Sequence, residues 1–243
     1  MTAFSLLIGL GASLGLLRVL QTAPASSRTR WLTAGLITQA GALIGARAGF
    51  VITNPNYFKT HNVEIVNLST GGLSWPGALA GALLIGWLSL ILLKLPMLEG
   101  FDRLSRLLLP LALFTWLGCW QAGIAYGRPL MAGTRWGMLM TDESGMQTLR
   151  LPLQPLAAVS LIFLMGTAEL LLRNASRPGL KAGMIGLVFS LHALLISIFR
   201  VDPVQHWLSY RLDSWAALLF CLVMLVFLIF ILARKPHGLE KSA

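Results

Sequence analysis

Residues 45–84 read GARAGFVITNPNYFKTHNVEIVNLSTGGLSWPGALAGALL, and this stretch decides the fold of the chain. It begins inside an apolar segment that carries Arg47, passes through a polar loop at 54–69, and re-enters apolar sequence at Gly71. An arginine inside an apolar run of membrane length costs about 2.5–3.5 kcal/mol on insertion scales. We therefore expect Arg47 to belong to a functional site that needs a guanidinium.

The composition is typical of a membrane protein. The 243 residues are 56% hydrophobic and 12% charged, whereas about a quarter of the residues in soluble domains are charged. At about 20 apolar residues per span, the sequence predicts an all-α polytopic membrane protein, a single transmembrane domain with about seven helices. The predicted spans are 3–20, 31–53, 72–93, 107–126, 152–172, 180–199 and 212–233, with outer loops at 54–71, 127–151 and 200–211. We interpret the first apolar segment as a span and not as a signal peptide.

Lysine and arginine are distributed unevenly over the loops. Twelve of them fall on the side of the C-terminal tail, six fall in the three predicted outer loops, and Arg47 lies within a span. The positive-inside rule then predicts that the N-terminus is outside and the C-terminus is in the cytoplasm. Because topology explains the net charge of +10, no nucleic-acid partner is expected.

Glycine recurs at four-residue spacing in two of the predicted spans. Gly41, Gly45 and Gly49 lie on one face of the second span, and Gly77 and Gly81 lie in the third. Small residues at this spacing let two helices approach closely, so the pattern predicts helix packing and carries no chemistry.

The predicted topology brings several polar residues to one depth near the outer face. Arg47 lies roughly 9 Å below the outer end of the second span. The other residues predicted to bind a phospholipid at this depth are Ser74, Cys119, Gln121, Tyr126 and Arg200. Arginine suits such a site because its planar fork can donate two hydrogen bonds to one phosphate. The alternative interpretation is that Arg47 snorkels to the interface and Arg200 is an ordinary flanking residue.

The remaining polar residues within the predicted spans are weaker indications of a site. His192 is expected to form an interhelical hydrogen bond. Cys119 is an alternative nucleophile, although a buried cysteine is usually inert. Neither Cys119 nor Cys221 has the spacing of a disulfide framework or a metal site, so we expect no metal and no cofactor.

Several motifs occur in the order found in one known family. They are Gly45-Ala46-Arg47-Ala48-Gly49-Phe50-Val51, Asn54-Pro55 with Tyr57, Glu64-Ile65, and Gly71-Gly72-Leu73-Ser74-Trp75-Pro76-Gly77. With the segments 118–127, 149–154 and 199–203, they resemble the prolipoprotein diacylglyceryl transferase family over essentially the whole chain. The resemblance implies seven spans, an outer N-terminus and a place in the prokaryotic plasma membrane.

That family transfers a diacylglyceryl group from phosphatidylglycerol to the lipobox cysteine thiol of a prolipoprotein and releases glycerol phosphate. The resemblance therefore implies a phosphatidylglycerol-like phospholipid and a lipobox peptide as partners. It implies that Arg47 and Arg200 contact the headgroup and that Gly127 closes the family signature in the binding site. The family's signature arginine and asparagine fall at Trp116 and Cys119 in this chain.

The position of the family histidine, a proposed base, is occupied by Pro76, which cannot take a proton. His61, His206 and Tyr126 are the candidates for a catalytic base on the predicted outer side. The sequence thus leaves two hypotheses, a divergent transferase and a non-catalytic lipid-binding, lipid-moving or accessory protein with the same pocket. An ion-coupled transporter is disfavoured because the spans lack a chain of carboxylates.

Overall fold

The computed structural model describes residues 2–68, 71–141 and 145–234. Parts of the predicted loops 54–71 and 127–151, and the tail from residue 235, lie outside these residues. The described α-helices are α1 (Thr2–Gln21), α2 (Arg28–Thr53), α3 (Pro55–Thr60), α4 (Trp75–Leu92), α5 (Met97–Leu104), α6 (Leu108–Gln121), α7 (Leu153–Leu171), α8 (Leu180–Phe199) and α9 (Leu212–Ala233). The described strands are β1 (Met138–Thr141), β2 (Gln147–Arg150), β3 (His206–Trp207) and β4 (Tyr210–Arg211).

Six of the described helices, namely α1, α2, α4, α7, α8 and α9, are long and apolar enough to cross a membrane. Their bounds lie within three residues of the predicted segments. Large apolar side chains also face outward from these helices; Phe163 is 70% exposed and Leu171 is 78% exposed. A helix that is apolar on all sides suits a lipid environment. The chain is therefore a mostly helical polytopic membrane protein.

The fourth predicted span, 107–126, forms a shorter helix than expected. The α6 helix has 14 residues, or about 21 Å, against a hydrocarbon thickness of about 30 Å. It ends at Gln121 because Gly123 and Ala125 adopt φ angles of 67° and 57°, which an α-helix cannot include. The described residues thus contain six candidate spans, and the predicted count of seven is not confirmed.

Two predicted loops contain strands, so the all-α description needs correction. In the first hairpin, β1 pairs antiparallel with β2 and places Met138 opposite Arg150. In the second, β3 pairs with β4 through a tight turn at Leu208 and Ser209, whose φ angles are 49° and 66°. Two consecutive positive φ angles are those of a type I′ turn, which matches the twist of paired strands.

The predicted glycine faces of α2 and α4 pack against each other. A Cβ atom added at Gly81 would lie 2.2 Å from the Gly41 carbonyl oxygen, and one at Gly77 would lie 2.3 Å from the Gly45 carbonyl oxygen. The backbones therefore touch without intervening side chains, which confirms the prediction of close helix packing. Just before α4 begins, the backbone N–H of Ser74 donates to the carbonyl of Ala46 at 2.9 Å.

Buried side chains form two clusters at different places in the bundle. One joins α1, α2, α4 and α5 around Val19, Trp31 and Leu90. The other joins α7 to α8 around Leu161 and Phe189. Trp75, the first residue of α4, packs edge-on against Phe189 with ring centroids 6.0 Å apart. The start of α4 is thus held between α2 and α8.

The glycine contact predicts a specific effect on stability. Gly81→Ala is expected to lower the midpoint of thermal unfolding in detergent, because overpacking typically costs about 1–3 kcal/mol. Gly166→Ala in α7 is the matched control, since an added Cβ there meets nothing within 4 Å and alanine favours the helix. Equal midpoints for the two variants would contradict the backbone contact.

Candidate functional site

Arg47 lies near the C-terminal end of α2 and is only 7% exposed. Its Nε–H donates to the Ile65 carbonyl at 2.9 Å, and Nη1 donates to the carbonyls of Gly71 and, at 3.1 Å, Gly72. Nη2 donates to the carbonyl of Glu64. The guanidinium therefore ties the returning loop to α2 and does not snorkel outward.

The guanidinium of Arg47 is hydrogen-bonded to backbone carbonyls and not to a carboxylate. Within the described residues, no carboxylate lies within ion-pair distance of Arg47. Its carbon Cζ lies 5.3 Å from the ring centroid of Phe58 and 5.8 Å from that of Phe50. Backbone carbonyls and aromatic faces orient a cation and partly stabilise it, but they cannot neutralise it.

A pocket of about 220 Å³ opens beside the Arg47 side chain. It is lined by Arg47, Phe50, Asn54, Tyr57, Phe58, Glu64, Gly71 and Gly72. Gly71 and Gly72 adopt φ angles of 80° and 77°, which let the chain turn with its carbonyls towards Arg47. The pocket thus combines a buried cation, an aromatic wall and one carboxylate.

Three polar side chains stand together at the rim of this pocket. The Tyr57 hydroxyl donates to Glu64 Oε2 at 2.7 Å, and the His61 ring stacks on Tyr57 with centroids 4.4 Å apart. The hydrogen bond to the Glu64 carboxylate raises the pKa of Tyr57, so the phenol stays protonated. Of these three side chains, the Glu64 carboxylate and the His61 imidazole have the chemistry of a general base.

Arg200 lies in a second cluster, where four charged side chains form a closed ring. Its Nε and Nη2 bind Asp202 at 2.9 and 2.6 Å, and its Nη1 binds Asp213 at 3.0 Å. Arg211 binds the same two carboxylates, at 3.4 Å to Asp202 and 3.1 Å to Asp213. The two positive charges of the arginines and the two negative charges of the aspartates sum to zero. The cluster fixes the β3–β4 hairpin to the ends of α8 and α9.

The segment that follows α6 lies beside this charged ring. Gly127 pairs with Arg200 as an isolated antiparallel bridge, and the Val201 N–H donates to the Tyr126 carbonyl at 3.2 Å. Tyr126 is buried beneath Arg150, whose Cζ lies 4.4 Å from the tyrosine ring centroid. A Cβ at Gly127 would lie 2.7 Å from the Leu151 carbonyl oxygen. Gly127 is thus a position of close backbone approach.

The structure groups the residues predicted from sequence into two sets. Arg47 in α2 and His61 in the loop after α2 belong to one set, and Ser74 caps α4 beside them by accepting from the Gly77 N–H at 3.4 Å. Tyr126, Gly127 and Arg200 belong to the charged cluster. The Arg47 pocket includes none of this second set.

Three further predicted residues lie outside the Arg47 pocket. Gln121 is exposed at the end of α6, and His206 is exposed in β3. Cys119 is partly buried near the charges of Arg200 and Asp202. Among residues 2–68, 71–141 and 145–234, no group of three or more His, Cys, Asp or Glu side chains is arranged to hold a metal ion.

Sequence reasoning missed several residues that build these sites. Tyr57 and Glu64 were noted only as parts of motifs, although both line the Arg47 pocket. Arg211 and Asp213 were counted only as loop and span residues. The repeated pattern Arg-x-Asp, at 200–202 and 211–213, is the signal that could have found the charged ring.

His192 was expected to bond between helices, and the structure bears this out. Its ring Nε2 lies 2.9 Å from the Ser160 hydroxyl oxygen in α7. The ring is only 3% exposed. His192 therefore links α7 to α8 and lies apart from both polar clusters.

Comparison with known proteins agrees with the motifs. The family model described as prolipoprotein diacylglyceryl transferase matches residues 1–232. Proteins named phosphatidylglycerol–prolipoprotein diacylglyceryl transferase are similar to this chain. The one from Rickettsia felis is 26% identical over 180 residues, covering 72% of this chain and 67% of the relative.

Two other relatives carry the same name. The protein from Ruegeria pomeroyi is 27% identical over 177 residues, covering 68% of this chain and 59% of the relative. That from Frankia alni is 27% identical over 204 residues, covering 80% of this chain and 52% of the relative. The matches thus span about half to two thirds of the relatives' own length. Since the family match extends over nearly the whole chain, this protein belongs to the prolipoprotein diacylglyceryl transferase family.

Proposed function

We propose that this chain transfers a diacylglyceryl group from phosphatidylglycerol to the lipobox cysteine thiol of a prolipoprotein. The observation that carries the proposal is Arg47, a buried cation held by backbone carbonyls in a pocket of about 220 Å³. Its local sequence is the motif that matches the family. The names of the relatives supply the two substrates.

The reaction forms a C–S bond between the cysteine sulfur and a glycerol carbon of the lipid. The C–O bond between that carbon and the phosphate breaks, and its electron pair leaves with glycerol phosphate. Negative charge thus grows on the phosphate oxygen in the transition state. A preorganised cation such as Arg47 stabilises that charge, and contacts of this kind are often worth 10²–10³ in rate.

The thiol must lose its proton, and Pro76 cannot accept it. Of the three predicted candidates, only His61 stands at the rim of the Arg47 pocket, stacked on Tyr57. Glu64 lines the same pocket and already accepts a hydrogen bond from Tyr57 at 2.7 Å. We assign proton transfer to this Glu64–His61 pair. Tyr126 and His206 lie in the region of the charged ring and are not assigned this role.

Arg200 has a positioning role in this proposal. Its charge is taken up by Asp202 and Asp213, so it is poorly suited to bind a phosphate directly. The ring it forms fixes the hairpin and the segment at Gly127 next to the ends of α6, α8 and α9. A rigid surface of this kind suits docking of an acceptor peptide beside the lipid.

The proposal includes seven membrane crossings, with the N-terminus outside and the C-terminus in the cytoplasm of a prokaryotic cell. Packing supports α6 as the additional crossing. Added Cβ atoms at Gly11 and Gly15 in α1 would meet Phe114 and Leu107, and one at Gly118 would meet Phe4. The two helices therefore run antiparallel at the same depth along most of their length. The basic residues supply the direction.

A second function has support from specific observations. Pro76 replaces the family histidine, and the aspartates neutralise Arg200. Both features disfavour catalysis, whereas the Arg47 pocket is retained. A non-catalytic protein that binds or moves lipid is therefore the competing function.

The catalytic proposal predicts thioether formation by the purified, lipid-loaded chain on a lipobox peptide, measured by mass spectrometry. Arg47→Ala should reduce the rate by about 10²–10³, because the leaving phosphate loses its cation. Glu64→Gln retains an acceptor for Tyr57 but removes the carboxylate base, and should slow the reaction and alter its pH profile. Arg135→Ala, at an exposed position of the outer loop, is the matched control and should behave as wild type.

The same assay separates the two functions. If no adduct forms between pH 6 and 9 while phospholipid still copurifies with the wild-type chain, the transferase proposal fails and the lipid-binding function takes its place. Unchanged lipid content in Arg47→Ala would remove Arg47 from the lipid site.

The proposed topology predicts which sides of the membrane two single cysteines reach. Val66 is 83% exposed and Ser176 is exposed, so both suit labelling in a chain with Cys119 and Cys221 replaced by serine. An impermeant thiol reagent should label Val66→Cys in intact cells and label Ser176→Cys only after permeabilisation. The reverse pattern would overturn the orientation.

A further inference from the structure

A second pocket, of about 310 Å³, lies where α5 meets the start of α8. Arg103 in this pocket stacks on Trp31, with Cζ 4.6 Å from the ring centroid. At 1.5 Å per residue, Trp31 lies about 24 Å from Arg47 along α2. The pocket is therefore at the opposite end of the helix bundle from the Arg47 site.

The charged residues lining the pocket have an excess of positive charge. They are Arg103, Arg106, Arg177, Lys181, Glu99 and Asp102. None of the four cations forms an ion pair within the described part of the chain. Arg177 and Lys181 instead donate to the backbone carbonyls of Leu232 and Arg173 at 3.2 and 3.1 Å.

The two carboxylates of the pocket offset only part of this charge. Asp102 accepts from the backbone N–H groups of Gly179 and Ala182, each at 2.7 Å, and so caps the start of α8. Glu99 is exposed, where water screens its charge. Glu169, just outside the pocket, is engaged by Arg18.

Arg103 is the least satisfied of the cations. Its Nε and Nη1 atoms are buried and have no hydrogen-bond partner among the described residues. Burial lowers the pKa of Arg103, and Arg106 adds to the shift while Glu99 opposes it. Burial and Arg18 lower the pKa of Arg106 more than Glu169 and Asp102 raise it. Both shifts arise mainly from burial of the two guanidinium groups, which disfavours their charged forms.

We propose that this second pocket binds a phosphate group, carried either by an anionic phospholipid or by a free anion. Arginine pairs strongly with phosphate through charge-assisted hydrogen bonds, and two arginines with a lysine can surround one phosphate. The ligand would offset the charge of Arg103 and join α5 to the loop before α8. This site is separate from the proposed transferase site.

The test measures binding to the full chain in phosphatidylcholine nanodiscs. Phosphatidic acid is added in one arm and inorganic phosphate in the other, and protection against thermal unfolding is followed. The double variant Arg103→Gln/Arg106→Gln should bind the effective probe at least about tenfold more weakly, since each charge-assisted hydrogen bond is worth about that factor. The matched control is Arg30→Gln/Arg173→Gln, which removes the same charge at exposed positions.

A third variant guards against loss of folding, because Arg103 also packs on Trp31. Arg177→Gln/Lys181→Gln changes only partly exposed residues of the pocket and should also weaken binding while the control stays as wild type. Protection by phosphatidic acid alone identifies a lipid headgroup, and protection by phosphate alone identifies a soluble anion. Equal protection of all variants, or no protection by either probe, overturns the proposal. A probe that binds at the Arg47 pocket would protect the control and test variants against thermal unfolding to the same extent.

Discussion

The structure depends on satisfying one arginine inside an apolar helix. An unpartnered guanidinium at the position of Arg47 would cost several kcal/mol in a membrane. The chain avoids this by folding the loop after α2 back onto the helix, so that the carbonyls of Glu64, Ile65, Gly71 and Gly72 accept its N–H groups. This return is possible because α4 can approach α2 to backbone contact through its glycines. The pocket, the loop and the helix pair thus form one unit.

Buried arginines elsewhere in the chain are satisfied differently, and the difference has consequences for function. Arg200 and Arg211 face Asp202 and Asp213, so their charges cancel and the cluster contributes rigidity. Arg47 is satisfied by neutral carbonyls and retains a field that can act on a phosphate. Identical side chains therefore take structural or electrostatic roles according to whether a carboxylate or a carbonyl faces them.

Proline at position 76 changes how the family chemistry would have to operate here. It occupies the first turn of α4, where its missing N–H leaves no hydrogen bond unmade, and Ser74 caps the same helix. The helix start is therefore intact while the family's proposed base is absent. In the proposed mechanism, the base is instead supplied by Glu64 and His61 in the loop. Catalysis, in this proposal, has moved from a helix start to the loop that Arg47 holds.

The sequence by itself determined the membrane class, the bounds of six long helices, the glycine contact and the placement of Arg47 inside an apolar helix, because each follows from local hydrophobicity or residue size. Only the tertiary structure decided that α6 stops at Gln121, that hairpins form in two of the predicted loops, and that Arg200 is neutralised by Asp213 thirteen residues later. The depth of a residue in its span can be predicted by counting residues along the helix, and this count predicted similar depths for Arg47 and Arg200. The residues that bind each arginine could not be predicted. Contacts between segments distant in sequence decide which way a side chain faces around its helix and where a returning loop lies.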